Sequence, residues 1–504
     1  MSSNTKSASG NALASVLLNT VTILVGFVAQ RVFIETLGKE VVGLNGLFSS
    51  ITSILTLADL GFGAAIIFHL YKPLSRNDLA EVSAVLALYK RICFRVSCFI
   101  SLAGIVMMPV VPYIVGEVKI DLNLYAIFSL FIVNAVFAYL MTYRRAILQA
   151  DRKNYVISYV HLGAVIGVNI LQIIALLYTG DYYIYLIISI LIKVAESIIL
   201  NLYINRRYRY LAEKTPNQLK ESTRSSINKL VRGTIFHTGA GLVVSSIDNI
   251  LISTLAGLAV LGLYVNYQLV LIAASTLISQ IFYAITANLG NLLASGSKDR
   301  AYTAFKTVYL INSILSVLSA LLILFLMQDF IKLWLGDQFL LDSTLVYILA
   351  FIFLLQSLRY GVLSLQLAGG VSYENRHIPV IEVLINLIAS IILGTIWGVK
   401  GVLLGTVIST CFLHLFNHPK YAFVRLLGRS RREYIGNVLR VVMIFSVLAM
   451  LLNLVFNTLD VSDLVLGIII KSVVTFVVVF TSFVIMFGRT DEYSFIVSKI
   501  KKII

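Results

Sequence analysis

Residues 205–232 read NRRYRYLAEKTPNQLKESTRSSINKLVR, the longest stretch of this 504-residue chain that is polar enough to rest in water. Nearly everything on either side is apolar runs of membrane-crossing length. Hydrophobic residues make up 59% of the chain and charged ones 13%, with a mean hydropathy of +0.92. Such a composition belongs to a polytopic membrane protein without a soluble domain. It leaves no room for an enzyme of water-soluble substrates.

A helix rises 1.5 Å per residue and needs about 20 mostly apolar residues to cross the hydrocarbon core. Lipid cannot satisfy the backbone of an open strand, so the spans are helical and the fold class is all-α. About fourteen spans are expected: 12–34, 43–69, 90–112, 122–143, 155–178, 182–204, 233–255, 260–290, 304–328, 342–367, 376–397, 399–424, 434–457 and 461–488. Only Gly398-Val399-Lys400 joins the eleventh to the twelfth.

The basic residues set the topology. With a cytoplasmic amino-terminus, inner segments hold most of the 40 Lys and Arg, including Arg144, Arg145, Arg152 and Lys153 and the run from Arg206 to Arg232. Outer loops hold Lys39, Lys119, Lys332 and Lys400. The asymmetry follows the positive-inside rule and puts both termini in the cytoplasm. It also accounts for the net charge of +16 without nucleic acid, because basic residues in short inner loops lie beside anionic lipid. Cys93, Cys98 and Cys411 fall in spans without metal-ligand spacing and read as small apolar fillers. The first apolar run exceeds a signal-peptide core and lacks a convincing cleavage site, so its retention is expected.

The chain echoes itself. Ile34-Glu35-Thr36-Leu37 and Gly43-Leu44 return as Ile252-Ser253-Thr254-Leu255 and Gly262-Leu263; Gln149, Tyr155 and Asn169 return as Gln366, Tyr373 and Asn386. The displacement is always 217 to 219 residues. It covers six spans, an even number, so the repeats share one orientation in the membrane, as in the parallel-repeat transporters. The expected organisation is a first six-helix lobe over 1–204, a basic linker over 205–232 and a second six-helix lobe over 233–428. Two further helices and a tail follow over 429–504.

Charges inside the spans need a reason, since one at the bilayer centre is unfavourable by about 2.5–3.5 kcal/mol on insertion scales. Arg31 and Glu35 stand four residues apart on one helix face, either self-paired or with Arg31 turned to a cavity between the lobes. Lys193 and Glu196 are spaced to neutralise each other. Arg359 lies in the inner half of span ten, and Arg440 near the inner interface is expected to snorkel. Lys471 sits about 15 Å into span fourteen with no acid within a turn. It has to borrow a partner from another helix, or face water or an anionic ligand. Asp59, Asp248, Glu196 and Glu382 are the acids placed to serve as charge partners or to bind a coupling ion. His161 and His237 read as hydrogen-bonded packing residues. No Walker sequence, metal-binding cluster or nucleophile elbow occurs, so no cofactor, metal or covalent catalysis is expected, and a transporter is expected rather than an enzyme.

Several stretches resemble a known family. They are Gln30-Arg31-Val32-Phe33-Ile34-Glu35-Thr36-Leu37-Gly38 with Gly43-Leu44-Asn45-Gly46-Leu47-Phe48, and Leu57-Ala58-Asp59-Leu60-Gly61-Phe62-Gly63-Ala64-Ala65-Ile66. Leu70-Tyr71-Lys72-Pro73-Leu74, Gln149-Ala150-Asp151-Arg152-Lys153-Asn154-Tyr155 and Asp248-Asn249-Ile250-Leu251-Ile252-Ser253 continue the likeness. The resemblance is to Wzx-like flippases of O-antigen, capsule and exopolysaccharide repeat units, in one superfamily with the MurJ lipid II flippases and the MATE exporters. It implies two six-helix lobes around a cationic cavity in a bacterial plasma membrane. The implied cargo is an undecaprenyl-diphosphate-linked oligosaccharide moved from inner to outer leaflet by alternating access. Membrane lipids, a polysaccharide polymerase and chain-length machinery are the implied partners. Arg31 matches the family's arginine near the end of helix one. Arg359, Lys471 and Lys193 are further candidates for the cavity on charge alone.

Two other readings compete. A MATE-like cation-coupled exporter of small molecules would favour acids for cationic cargo, against the bases found here. A membrane polymerase or glycosyltransferase would need a sizeable polar loop, and the longest outer loop, 329–341, is short and has no arginine.

Overall fold

A computed structural model of the chain describes residues 3–56, 62–116, 121–140, 142–213, 219, 221–296, 298–371, 374–458 and 463–500. Among them every regular element is helical. The long helices are α1 (Ser3–Leu55), α2 (Phe62–Ser75), α3 (Leu79–Met107), α4 (Leu124–Leu140), α5 (Asn154–Thr179), α6 (Tyr182–Arg207) and α7 (Glu221–Ala256). They continue as α8 (Leu258–Ala294), α9 (Lys298–Leu335), α10 (Ser343–Ala368), α11 (Ile378–Trp397), α12 (Val399–Phe412), α13 (Arg431–Thr458), α14 (Leu464–Phe487) and the short α15 (Asp491–Ile500).

Among the described residues, thirteen helical stretches are long and apolar enough to cross a membrane. The expected fourteen differ from that number for one reason. The first stretch, Thr20–Leu55, contains span one and the beginning of span two, and Gly38 divides them with non-helical angles (φ 82°, ψ 169°). Span two then resumes in α2, whose 14 residues are too few to be counted alone. Aspartates start several helices: the carboxylates of Asp78, Asp181, Asp342 and Asp463 accept from the amides of Glu81, Tyr183, Thr344 and Leu466 at 2.7–3.0 Å. Each satisfies an amide that the first turn leaves without a partner.

The chain divides into two compact units, 1–262 and 263–504. In the first, one buried core joins Leu70 of α2, Val82, Val85 and Tyr89 of α3, Ile147 of the short helix Arg145–Ala150, Leu200 and Ile204 of α6 and Ile227 of α7. In the second, α9 and α10 are the interior helices, buried over 56% and 67% of their apolar windows, against 17% for α14. The outer face of α13 and α14 presents Leu451, Leu454, Val473, Phe476 and Phe480 as a lipid-facing surface.

Within the first unit, α1 and the start of α8 approach each other closely. Gly257, between α7 and α8, has φ +85° and stands where Gly38 stands in the first repeat. Just beyond each break comes a second glycine, and these two face one another. A Cβ on Gly43 would lie 2.0 Å from the carbonyl oxygen of Leu258, and one on Gly262 would lie 1.8 Å from that of Lys39. Small residues of this kind let membrane helices approach closely enough to gain dispersion contact, which is what holds them together in lipid. α12 departs from α-geometry after Phe412. It continues as π-helix over Leu413–Asn417 and Pro419–Leu427, since Pro419 has no amide to donate and its ring crowds the preceding turn.

Substituting either facing glycine therefore forces backbone apart. Gly43→Leu and Gly262→Leu are expected to lower the melting temperature of the detergent-solubilised protein, by overpacking of about 1–3 kcal/mol. Gly26→Leu, at a position where nothing lies within 4 Å, is the control that leaves it unchanged. Equal melting of all three variants would contradict the close-packed crossing.

Candidate functional site

The intramembrane charges gather into one polar cluster in each unit. In the first, Lys193 and Glu196 lie a turn apart on α6, yet they form no direct ion pair. Lys193 Nζ donates to Asn134 Oδ1 on α4 at 2.7 Å. Glu196, 7% exposed, is ion-paired with Arg145, Nη2 lying 3.1 Å from its Oε1, and faces His161 Nδ1 of α5 at 3.3 Å. The two charges still attract each other, but each makes its direct contacts with groups on neighbouring helices. Arg145 comes from a residue that reads as a loop charge in sequence. The core around Ile147 holds its short helix, and its guanidinium reaches the carboxylate from there. Asn134 and Arg145 carry no motif that marks them in sequence.

In the second unit, Arg359 Nη1 of α10 lies 3.3 Å from Glu382 Oε1 of α11, with the carboxylate 7% exposed and the guanidinium 22%. The Arg359 Nε–H is buried without a hydrogen-bond partner. Beside this pair are two histidines from the π-helical stretch. His414 Nε2 faces the carbonyl oxygen of Leu355 at 2.9 Å, and its Nδ1 faces the Tyr434 hydroxyl at 2.8 Å. A carbonyl only accepts, so Nε2 carries the proton and Nδ1 accepts from the tyrosine when the ring is neutral. His418 is fully buried, its ring centroid 5.3 Å from that of His414, and neither of its nitrogens has a partner. Attention to His161 and His237 missed this pair. Its signal was the four-residue spacing, which places both rings on one helix face.

The remaining candidates are dispersed. Arg31 Nε pairs with Glu35 Oε1 at 2.8 Å, and both side chains are about half exposed. Asp248 is buried on α7, next to Asn249, whose amide donates to Ser50 Oγ of α1 at 2.8 Å. Lys471 does borrow a partner: its Nζ lies 2.6 Å from Asp329 Oδ2 near the end of α9. The pair borders a cavity of about 140 Å³ that Asp463, Phe456 and Gly467 also line. Asp59 lies outside the described residues, as does the side chain of His237. No group of three metal-ligating side chains occurs among the described residues.

Outside the spans, Asp151 sits in the stretch Gln149–Tyr155. Its Oδ2 accepts from Lys153 Nζ and from the Tyr208 hydroxyl, each at 2.6 Å. Partial burial works to raise its pKa, but those two hydrogen bonds and the lysine's charge outweigh it and hold the carboxyl below its ordinary range.

The family model described as "Polysaccharide biosynthesis protein" matches residues 9–286. A comparison with curated protein sequences gives no match. Among solved structures, the lipid II flippase MurJ in an inward closed conformation is similar at a TM-score of 0.62 and 15% identity, over 95% of this chain and 100% of that one. An inward-facing multidrug resistance MATE family transporter of the MOP superfamily is similar at 0.62 and 14%, over 86% and 98%. A variant of the Vibrio cholerae MATE transporter VcmN is similar at 0.55 and 12%, over 88% and 98%. At these identities the likeness is one of fold, that of the MurJ and MATE transporters.

Two measurements test the polar groups. Arg145→Ala strands the Glu196 carboxylate and is expected to destabilise the protein, by up to about 3–5 kcal/mol. Arg145→Ala combined with Glu196→Gln recovers most of that loss in the same melting assay. Additive losses would mean that the pair does not interact. Asp151, with its lowered pKa, adds stability that is present above the ordinary carboxylate value and lost as pH falls through the folded one. Wild type should thus exceed Asp151→Asn in stability at neutral pH, and the difference should shrink below about pH 4. A difference that stays constant down to pH 2 would rule out that contribution.

Proposed function

Because this chain belongs to the polysaccharide biosynthesis protein family, we propose that it is a flippase of lipid-linked oligosaccharides. Its cargo is an undecaprenyl-diphosphate-linked repeat unit, moved from the inner to the outer leaflet of a bacterial plasma membrane by alternating access. Both termini lie in the cytoplasm. The observation that carries this reading is Arg359. It lies within a membrane helix, 22% exposed, held to Glu382 by a single 3.3 Å contact and with its Nε–H unsatisfied. A guanidinium with unused donors is suited to a diphosphate, which takes two parallel hydrogen bonds from it. A lipid diphosphate crossing an apolar barrier needs such groups to replace its water. Arg31 and Lys193 supply further positive charge in the first lobe, and Lys471 in the helices that follow the second. Arg31 engages cargo by exchanging Glu35 for phosphate. The likeness of fold to MurJ, titled a lipid II flippase, supports the same class of cargo.

Net export against a gradient needs a driving force, and a buried acid that exchanges a proton or sodium ion supplies one. Asp59 is the first choice, followed by Asp248, Glu196 and Glu382. An acid that loses its basic partner as the lobes rock would bind the ion in one state and release it in the other.

The test uses the full chain in vesicles with a fluorescent undecaprenyl-diphosphate oligosaccharide. Wild type should move the lipid between leaflets. Arg359→Ala should slow movement about 10- to 100-fold, the loss of a charged hydrogen bond of roughly 1.5–3 kcal/mol, and Arg359→Lys should recover it only in part. A proton or sodium gradient should accelerate wild type, and Asp59→Asn should abolish that response. Unaltered flipping by Arg31→Ala and Arg359→Ala together would reject the cationic cavity.

A further inference from the structure

A second basic cavity lies away from these groups, at the membrane boundary of the second unit. It measures about 160 Å³ and lies among α9, the end of α12, α13 and the α14–α15 junction. Its charged lining is Lys306, Arg440 and Glu492, and Asn437, Ser313 and Thr490 add neutral polar groups. Lys306 is eight residues into α9 and Arg440 nine into α13, so each stands about 12–13 Å from the start of its helix. That is the depth at which a long basic side chain reaches the headgroup layer from within a span.

The charges do not cancel. The Lys306 ammonium is ion-paired with the Glu492 carboxylate. Burial works to raise the pKa of Glu492, but the lysine's hydrogen bond and charge outweigh it and hold the carboxyl below its ordinary range. It is therefore ionised at neutral pH and balances Lys306. Among the described residues Arg440 forms no ion pair within 4 Å, and it is exposed, leaving one net positive charge at the cavity. Its apolar wall is aromatic: Phe305, Tyr309, Phe423 and Phe487. The Tyr309 hydroxyl, on a side chain 8% exposed, has no hydrogen-bond partner. α15 begins beside the cavity with Asp491 and Glu492 and leaves Phe495 exposed, the mixed pattern of a helix lying along a membrane surface.

We propose that this cavity binds the phosphate of an anionic membrane phospholipid. Arg440 supplies the charge-assisted hydrogen bonds, Asn437 a neutral donor, and the aromatic wall takes the glycerol and the first methylenes. A basic pocket between membrane helices at the headgroup level has the chemistry such lipids recognise. The lipid is a resident of the surrounding leaflet, distinct from the cargo.

The full chain in neutral detergent is titrated with phosphatidylglycerol, phosphatidylcholine or inorganic phosphate, reading melting temperature and the number of lipids retained in native mass spectra. Phosphatidylglycerol should raise the melting temperature of wild type and remain bound, and phosphatidylcholine should do neither. Arg440→Gln should weaken phosphatidylglycerol binding about tenfold, and Arg440→Lys should restore most of it. Arg440 is exposed, so these variants are expected to fold; equal melting without lipid verifies it. Equal phosphatidylglycerol binding by wild type and Arg440→Gln, or an equal shift with phosphatidylcholine, would overturn the proposal. An Arg440-dependent shift with inorganic phosphate as large as that with phosphatidylglycerol would also overturn it, by assigning the site to a free anion. Binding is read without any flipping, so failure here leaves the cargo reading intact, and failure of that reading leaves this one.

Discussion

Hydrocarbon gives two leucines no reason to meet, since each is already in an apolar solvent. Association of the helices therefore rests on how closely their backbones can come and on polar groups that have no other place to go. The crossing at Gly43 and Gly262 meets the first condition. Each glycine leaves out a side chain that would collide with the backbone of the other repeat's helix start. The α11–α12 hairpin repeats the device, with Gly401 against the carbonyl of Leu393. Many large apolar side chains point outward, as Leu451 and Leu454 of α13 and Val473 and Phe476 of α14 do, and these dissolve the protein in its membrane without specifying its shape.

The second condition is met by the charges. Glu196 ties α6 to the short helix that carries Arg145 and to α5, while Lys193 on the same helix reaches α4. Lys471 ties α14 to α9. Arg359 ties α10 to α11, but at 3.3 Å and with a donor left over. Arg145 in the first unit and Arg359 in the second each keep a buried Nε–H without a hydrogen-bond partner among the described residues. Near Arg359, the two ring nitrogens of His418 have no hydrogen-bond partner among the described residues. A buried polar group without a partner is unfavourable by roughly 1–3 kcal/mol. Such groups occur in both units, and those of His418 stand where α12 leaves regular helix, a kind of turn that often marks functional sites.

The all-helical class and nearly all of the spans were legible in sequence, because span length is a direct consequence of lipid physics. A displacement of 219 residues separates the two positive-φ glycines Gly38 and Gly257, and likewise the facing Gly43 and Gly262. What could not be read was partner choice. Sequence required that Lys471 find an acid on another helix but could not name Asp329. It placed Lys193 and Glu196 within reach of each other, and the fold gave each a different neighbour. Arg145 was hidden for a subtler reason. A basic residue at an inner helix end counts as a topology signal, and nothing in its local sequence distinguishes one that turns inward. His414 and His418 were hidden by an apolar run that belongs to no motif. Side-chain direction within a bundle depends on the rotation of helices distant in the chain, and local pattern does not encode it.

The glycine crossing also bears on how the protein is made. Lys39 and Gly43 meet Leu258 and Gly262, about 200 residues further along. A ribosome adding about 5–20 residues per second needs roughly ten to forty seconds to cover that distance. Through that interval the first six spans stand in the bilayer with their tightest docking surface uncovered, bare backbone where the second repeat will press. Completion of the nascent fold thus waits on the arrival of α8, and the machinery that releases the chain into lipid has to keep an unfinished half-molecule from pairing with another of its kind.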